Sequence, residues 1–363
     1  MRETIIQDIM RQLLFVIVAM FFATTAFGQN TFTQEEETII NQAYEYSDNG
    51  NAEKAIAIYN DLLKNHPGDP NIRYEIAYCY NILKQYQEAA NVLEAMERDS
   101  CATGQAYAMH GNMLDYMGQT DLAIEKYKEG LRLFPKEGQL YVELGTVYAA
   151  KEDYMEAIRF YEEGIRVEPT YAPNYYRISI LLCNSNEPIW GIIYGEIHEL
   201  LLPNSERSEE LSKLIYKAYN DCYKFEGDTL RCTLTTKNTI SIDEEAGKLI
   251  IPFEILYEVY SESDKDKETI REKGHLDMLS LVEKRKKFLT SCFEGDAHNE
   301  FLFPIFKFQQ KVLAAGHWEA YNMYILRAGN YDEFDAWYEE NQEKFSAFID
   351  WYNQNMFEPT ADD

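Results

Sequence analysis

Small and large apolar positions recur along the first half of the chain at a fixed interval. Ala55-Ile56, Ala89-Ala90, Ala123-Ile124 and Ala157-Ile158 stand 34 residues apart. In the same frame fall the small residues Ala43, Ala77, Gly111 and Gly145, the large Tyr59, Tyr127 and Tyr161, and prolines at 67, 135, 169 and 203. Turn positions fall at Gly50, Lys84, Gly118 and Lys151-Glu152. Small residues let two antiparallel helices approach closely, and the large rings fill the gap to the next pair. The pattern predicts four helix pairs, at 36–69, 70–103, 104–137 and 138–171, and a degenerate fifth at 172–205. The fifth keeps Tyr175 and Pro203, carries Pro188 at the start of its second helix, and has Gly191 where the packing Ala would be. One pair cannot bury its apolar faces alone, so the pairs must stack.

Beyond residue 205 the pattern changes. Leu211, Leu214, Ile215, Ala218 and Tyr219 at helical spacing predict a closing helix over 206–225. TLRCTLTT and TISID, rich in Thr and Ile, predict a small β-hairpin insertion over 226–251, with turns at Lys237-Asn238 and Glu245-Ala246-Gly247. The region 252–356 reads as helical, in segments near 252–262, 266–291, 298–315, 317–328 and 331–354. Phe334, Trp337, Tyr338, Phe345, Phe348 and Tyr352 form an aromatic stripe on the last of these, expected to be core.

The repeat resembles the tetratricopeptide repeat (TPR). Its fourth copy places Tyr141, Leu144, Gly145, Tyr148, Tyr154, Ala157, Tyr161 and Pro169 at eight signature positions, and departs at Gly164, where the family prefers Ala. Trp318, Gly329 and Tyr331 stand in family-like positions of a final TPR-like hairpin, with Phe334 in place of a packing Ala. The resemblance implies an all-α fold, a right-handed superhelical solenoid of helix pairs over 36–205. The hairpin insertion and the helical C-terminal region are additions to it.

Leu13 to Ala23 form an apolar run of 11 residues, too short to span a bilayer as a helix, followed by small residues at Ala26 and Gly28. This reads as a signal peptide over 1–28 of Gram-negative type, cleaved after Gly28, with Met10 as a possible start. The residues before the core sum to no net charge, and a membrane anchor is the alternative. No Cys follows the cleavage site to carry a lipid. The expected location is exported, periplasmic or secreted, with no membrane insertion after cleavage.

Composition narrows the partner. Lys and Arg total 34 against 62 Asp and Glu, a net charge of −28, which opposes binding to nucleic acid or to an anionic membrane surface. The sequence contains no Walker loop, dinucleotide glycine fingerprint, G-x-S-x-G or HExxH. The six His lie far apart, so neither a catalytic site nor a metal or other cofactor is expected. His110 reads as a packing residue. Lys284 to Lys287, KRKK, reads as a solvated helix face. Cys222 with Cys232, and Cys79 with Cys101, are either bridges or buried thiols.

In the TPR family partners usually lie on the concave surface lined by the first helix of each repeat. Carried over by position, that surface comprises Ile40, Tyr44, Ser47, Tyr74, Tyr78, Asn81, Asn112, Asp115, Tyr116, Thr146, Tyr176 and Asn184. Tyr and Asn without Lys or Arg suit an extended, uncharged or basic peptide, and not an acidic tail. The expected function is therefore a non-catalytic scaffold for a protein or peptide of the cell envelope. The alternatives are a carbohydrate-binding accessory of an outer-membrane uptake system, and an enzyme with its site around His298 and His317.

Overall fold

The computed structural model describes residues 32–236, 241–243, 248–250, 264–293 and 304–359. It divides into two compact units, with the boundary between residues 174 and 175. In the first unit the 34-residue frame becomes four helix pairs: α1 Gln34–Asp48 with α2 Ala52–Leu62, α3 Pro70–Ile82 with α4 Tyr86–Arg98, α5 Gly104–Tyr116 with α6 Thr120–Leu133, and α7 Gly138–Ala150 with α8 Tyr154–Val167. Helices α3, α5 and α7 begin one repeat apart. Asp69 and Thr103 cap α3 and α5 by accepting from the amides of Ile72 and Ala106, and Thr33 with Glu36 forms a reciprocal capping box on α1. The Thr33 amide at that box, and then His66, hold the part-buried Glu36 carboxyl down at about 2.

Each pair turns in the same way. Gly50, Lys84, Gly118 and Glu152 all have positive φ. The next residue's amide bonds five residues back, Asn51 to Tyr46, Gln85 to Tyr80, Gln119 to Leu114 and Asp153 to Tyr148, at 2.8–2.9 Å. This is the Schellman closure, which favours glycine. Two of the four copies place a side chain there and carry the strain.

Packing inside the pairs follows from the small positions. A Cβ on Gly111 would stand 2.1 Å from the Tyr127 ring, and one on Gly145 would stand 2.4 Å from the Tyr161 ring. Ala43, Ala77 and the Ala at 55, 89, 123 and 157 are fully buried. The cores run on between repeats: Ala77 of α3, Leu93 and Met96 of α4, and Met109 and Met113 of α5 share one cluster. Gly164 also has a steric reason, since a Cβ there would meet the carboxamide of buried Asn174, whose Nδ2 donates to the Gly138 carbonyl at 3.3 Å.

The second unit takes in most of α9 Ala172–Cys183, then α10 Pro188–Leu201, α11 Ser208–Asp221, strands β1 Tyr223–Glu226, β2 Thr229–Cys232, β3 Ser241–Asp243 and β4 Lys248–Ile250, and helices α12 Asp264–Lys273, α13 Met278–Phe293, α14 Pro304–Ala314, α15 Trp318–Leu326 and α16 Tyr331–Gln354. The fifth predicted pair is present as α9 and α10. Gly191 lets them touch, because a Cβ there would lie 2.3 Å from the Cys183 amide nitrogen. The core of this unit holds an ionic centre. Glu196 of α10 accepts from Arg285 of α13, from Gln309 Nε2 of α14 at 2.8 Å and from the Tyr321 hydroxyl of α15 at 2.8 Å. The Arg285 guanidinium also faces the rings of Tyr219, Trp318 and Tyr321 at 5.6–5.9 Å. The aromatic stripe of α16 is core: Phe334, Trp337, Phe345, Phe348 and Tyr352 are buried.

Several expectations need correction. The closing helix ends at Asp221, and Tyr223–Glu226 is a strand paired with Thr229–Cys232 about Gly227, whose positive φ makes the tight turn. The hairpin therefore starts earlier than the Thr-rich run suggested; a second antiparallel pair joins β3 to β4. The segment 266–291 is two helices, broken at Gly274, where φ is again positive. The basic run is not one solvated face. Lys286 and Lys287 are exposed, but Arg285 is buried on Glu196 and Lys284 bonds Asp266 at 2.6 Å. The last helix is interrupted at Asn341, whose side chain donates to the Trp337 carbonyl. The leader over 1–28, the turns at 237–238 and 245–247, the helix at 252–262 and His298 lie outside the described residues. The sulfurs of Cys222 and Cys232 lie 3.0 Å apart, whereas Cys79 and Cys101 pack in different clusters.

The strained turns give a direct test. Lys84→Gly and Glu152→Gly are each expected to raise unfolding free energy by about 1 kcal/mol, and Gly118→Ala to lower it by a similar amount, in urea unfolding followed by circular dichroism.

Candidate functional site

The first helices of the four pairs, α1, α3, α5 and α7, share one face of the first unit. The charges of Glu137 and Glu143, two pairs further on, reach Tyr74, and Tyr74 in turn bears on Tyr171. This face carries the predicted partner-binding residues. Tyr44 and Tyr78 are each 39% exposed and Tyr116 is 56% exposed; Tyr154, on the second helix α8, is open as well at 52%. Tyr116 leans on Tyr86 with ring centres 5.2 Å apart. Tyr74 and Asn81 are half-buried, and Asp115 accepts from the Thr120 hydroxyl at 2.7 Å.

One position of the repeat does two different jobs. It holds Tyr44, Tyr78, Asn112 and Thr146 in successive copies. In the third copy the Tyr127 hydroxyl donates to Asn112 Oδ1, and Asn112 Nδ2 passes on to Glu143 at 3.2 Å. In the fourth, Tyr161 and Thr146 share a hydrogen bond at 3.3 Å. In the first, the inner ring is Tyr59 and the position is Tyr44, which meets it edge-on with centres 6.2 Å apart. The Tyr59 hydroxyl is buried there without a hydrogen-bond partner. Asn112 and Thr146 are thus engaged by the inner tyrosines of their own repeats, whereas Tyr44, though it touches Tyr59 and bonds Glu75, and Tyr78 keep part of their rings open to solvent.

Two predicted residues belong elsewhere. Ser47 is buried, its hydroxyl donating to the Tyr44 carbonyl. Tyr176 lies in the second unit and is buried, with its hydroxyl donating to Glu210 at 2.7 Å and Arg207 over its ring at 4.3 Å. It offers no open contact surface.

Sequence reasoning missed the carboxylates of this face. Glu75 and Glu143 occupy the same repeat position, two copies apart, which is the signal that could have found them. Burial pushes the Glu75 carboxyl up to about 6; a hydrogen bond from Tyr44 opposes the rise and the charge of Asp48 adds to it. Tyr44 is pushed up to about 12, by burial first and then by Glu75, and Tyr74 likewise. Because the folded value of Glu75 lies above its unfolded one, the fold gains when it is protonated. That gain is complete below about 4.5 and is lost as pH rises through about 6. Of the 12 Lys and Arg between residues 32 and 174, Arg73 alone stands on one of these four first helices. It is held by Asp99 at 2.7 Å and the Pro67 carbonyl at 2.8 Å, so the face is aromatic and acidic.

Elsewhere the candidates are weaker. His110 is buried with Nδ1 2.6 Å from Glu97, which also accepts from Lys126. His317 packs against Phe348 and Trp351 at 6.3 and 5.5 Å, and burial lowers its pKa. Among the described residues no group of three or more His, Cys, Asp or Glu is placed to hold a metal ion, and no helix is long and apolar enough to cross a membrane. An open cavity of about 500 Å³ between α1 and α2, lined by Ile39, Ile58 and Leu62 among others, includes none of the exposed tyrosines.

Comparison with known proteins adds the following. Residues 108–172 match the family profile described as tetratricopeptide repeat, and residues 18–96 match that of the anaphase-promoting complex, cyclosome, subunit 3. The BBSome complex member BBS4 of Bos taurus is 29% identical over 125 residues, 33% of this chain and 23% of that protein. Its Mus musculus counterpart is 30% identical over 100 residues, 27% of this chain and 19% of that protein. The chain thus spans about a quarter or less of the length of these relatives. Among solved structures, a TPR protein of Thermus thermophilus has a TM-score of 0.43 at 15% identity, over 50% of this chain and 98% of that one. PilW, a type IV pilus biogenesis factor, has a TM-score of 0.41 at 14% identity, over 52% and 86%. The C-terminal part of a TPR repeat-containing protein of Cytophaga hutchinsonii has a TM-score of 0.39 at 18% identity, over 85% and 95%.

The contrast between repeats is measurable. Tyr127→Phe removes a hydrogen bond and is expected to cost about 1 kcal/mol in urea unfolding, whereas Tyr59→Phe removes a hydroxyl without a partner and is expected to change stability by less than about 0.5 kcal/mol.

Proposed function

Because the chain belongs to the tetratricopeptide repeat family, we propose that it is an exported, non-catalytic scaffold that holds a protein or peptide of the cell envelope on its first-helix face. The observation that carries this reading is the display of Tyr44, Tyr78 and Tyr116 on the first helices, while the inner rings Tyr59, Tyr127 and Tyr161 are buried in the pairs. Exposed tyrosine rings supply contact area at low entropic cost, and large exposed rings in a row mark a surface that is covered in use. Export is supported by the apolar run at 13–23 followed by small residues at 26 and 28. An acidic face argues against nucleic acid.

The test is cross-linked capture from native cell envelope, comparing the natural chain with a Tyr78→Ala, Tyr116→Ala double variant whose helicity is unchanged by circular dichroism. A defined protein captured by the first and lost with the second is the expected result. Equal capture by both would place binding on another surface.

A further inference from the structure

Resting on the groove reading above, we propose that the first two repeats contain a subsite for a basic side chain, the Arg or Lys of an extended segment of the partner protein, built from Tyr44, Asp48, Tyr59, Glu75 and Tyr78. Three observations converge on it. First, charge is segregated: the single cation on the four first helices, Arg73, is engaged by Asp99 and Pro67, and nothing positive bears on Glu75. The groups around Glu75 are Tyr44 and Asp48 from α1, Tyr59 from α2, and Tyr74 and Cys79 on its own helix α3, where Tyr78 stands one turn on. All are neutral or negative.

Second, the Tyr59 side chain is 1% exposed and its hydroxyl has no partner, although the charges of Glu75 and Asp48 both reach it. In two of the other copies the equivalent hydroxyl is satisfied within the repeat by Asn112 or Thr146. A buried, unsatisfied hydroxyl costs stability. A guanidinium or ammonium donating to its oxygen, once the Tyr44 ring turns aside, would satisfy it. Third, the rings of Tyr44 and Tyr78 occupy the same position in adjacent repeats and both are part-exposed, so each offers a face to a cation. Acidic groups, ring faces and a spare oxygen acceptor are the complement of a basic side chain, and they would repel a carboxylate. The carboxyl of Glu75 takes up a proton near pH 6, so the attraction weakens on acidification.

The experiment uses the full chain and three labelled, end-blocked peptides of equal length, alternating Gly with Arg, Ser or Glu, read by fluorescence anisotropy. The Gly–Arg peptide is expected to bind at least about tenfold more tightly than the Gly–Ser peptide, with the Gly–Glu peptide weakest. Glu75→Gln is expected to weaken Gly–Arg binding about tenfold and Tyr59→Phe about threefold, with loss also on lowering the pH through about 6. Glu94→Gln, at an exposed position on the second helix α4, removes the same formal charge and is expected to leave binding unchanged. Equal weakening by Glu75→Gln and Glu94→Gln would reduce the effect to the general field of an acidic protein and overturn the subsite. If Gly–Arg and Gly–Ser bind alike and both are lost in the Tyr78→Ala, Tyr116→Ala variant, the subsite falls and the groove stands. If binding of every peptide ignores the groove variants, both fall.

Discussion

The first unit depends on one steric fit: in three of its four pairs a tyrosine ring of the second helix, and in the second pair Leu93, lies against a residue with little or no side chain on the first. At Gly111 and Gly145 even a methyl group would overlap the rings of Tyr127 and Tyr161. The fit sets how closely the two helices approach, and the Schellman turn after each first helix fixes where the second begins. Since each cluster of core residues runs on into the next pair, the fit in one copy holds the next in place. The consequence for function is geometric: burying the second-helix rings inward leaves the first helices to present Tyr44, Tyr78 and Tyr116 together.

That face carries a cost that packing alone does not explain. Glu75 is half-buried with a phenol and another carboxylate near it, so it ionises near pH 6 instead of near 4.5 and holds its charge at neutral pH at a cost in stability. Tyr59 buries a hydroxyl that equivalent copies satisfy. Both departures fall in the first two repeats, beside two of the exposed rings. Local rules broken together at one surface are the signature of a site that is completed by something else. The second unit solves its own polar burial internally, since Glu196 finds Arg285, Gln309 and Tyr321 on three other helices.

Much of the architecture was legible because repetition multiplies a weak local signal. A single Ala-Ile pair means little, but four in one frame with Gly111, Gly145 and the turn at Gly50, Lys84, Gly118 and Glu152 define the helix pairs. The rings Tyr44, Tyr78 and Tyr116 were named only by carrying over the positions that line the concave surface in the TPR family. What escaped was whatever depends on contacts distant in sequence. Tyr223 to Glu226 continues the helical pattern of α11, and only pairing with Thr229–Cys232 makes it a strand. Arg285 looks solvated within KRKK until its partner, 89 residues away, is known. Glu75 carries no signal of its own in the sequence; its burial and the hydrogen bond from Tyr44 on another helix set it apart.

The central claim is that the first-helix face of residues 32–174 is the surface on which a partner rests. Amide hydrogen exchange of the full chain, alone and with its captured partner, tests it most directly. The account predicts slowed exchange in α1, α3 and α5, strongest toward α1 and α3, with α2, α4 and α6 unchanged. Protection confined to the second helices or to residues beyond 175 would contradict it.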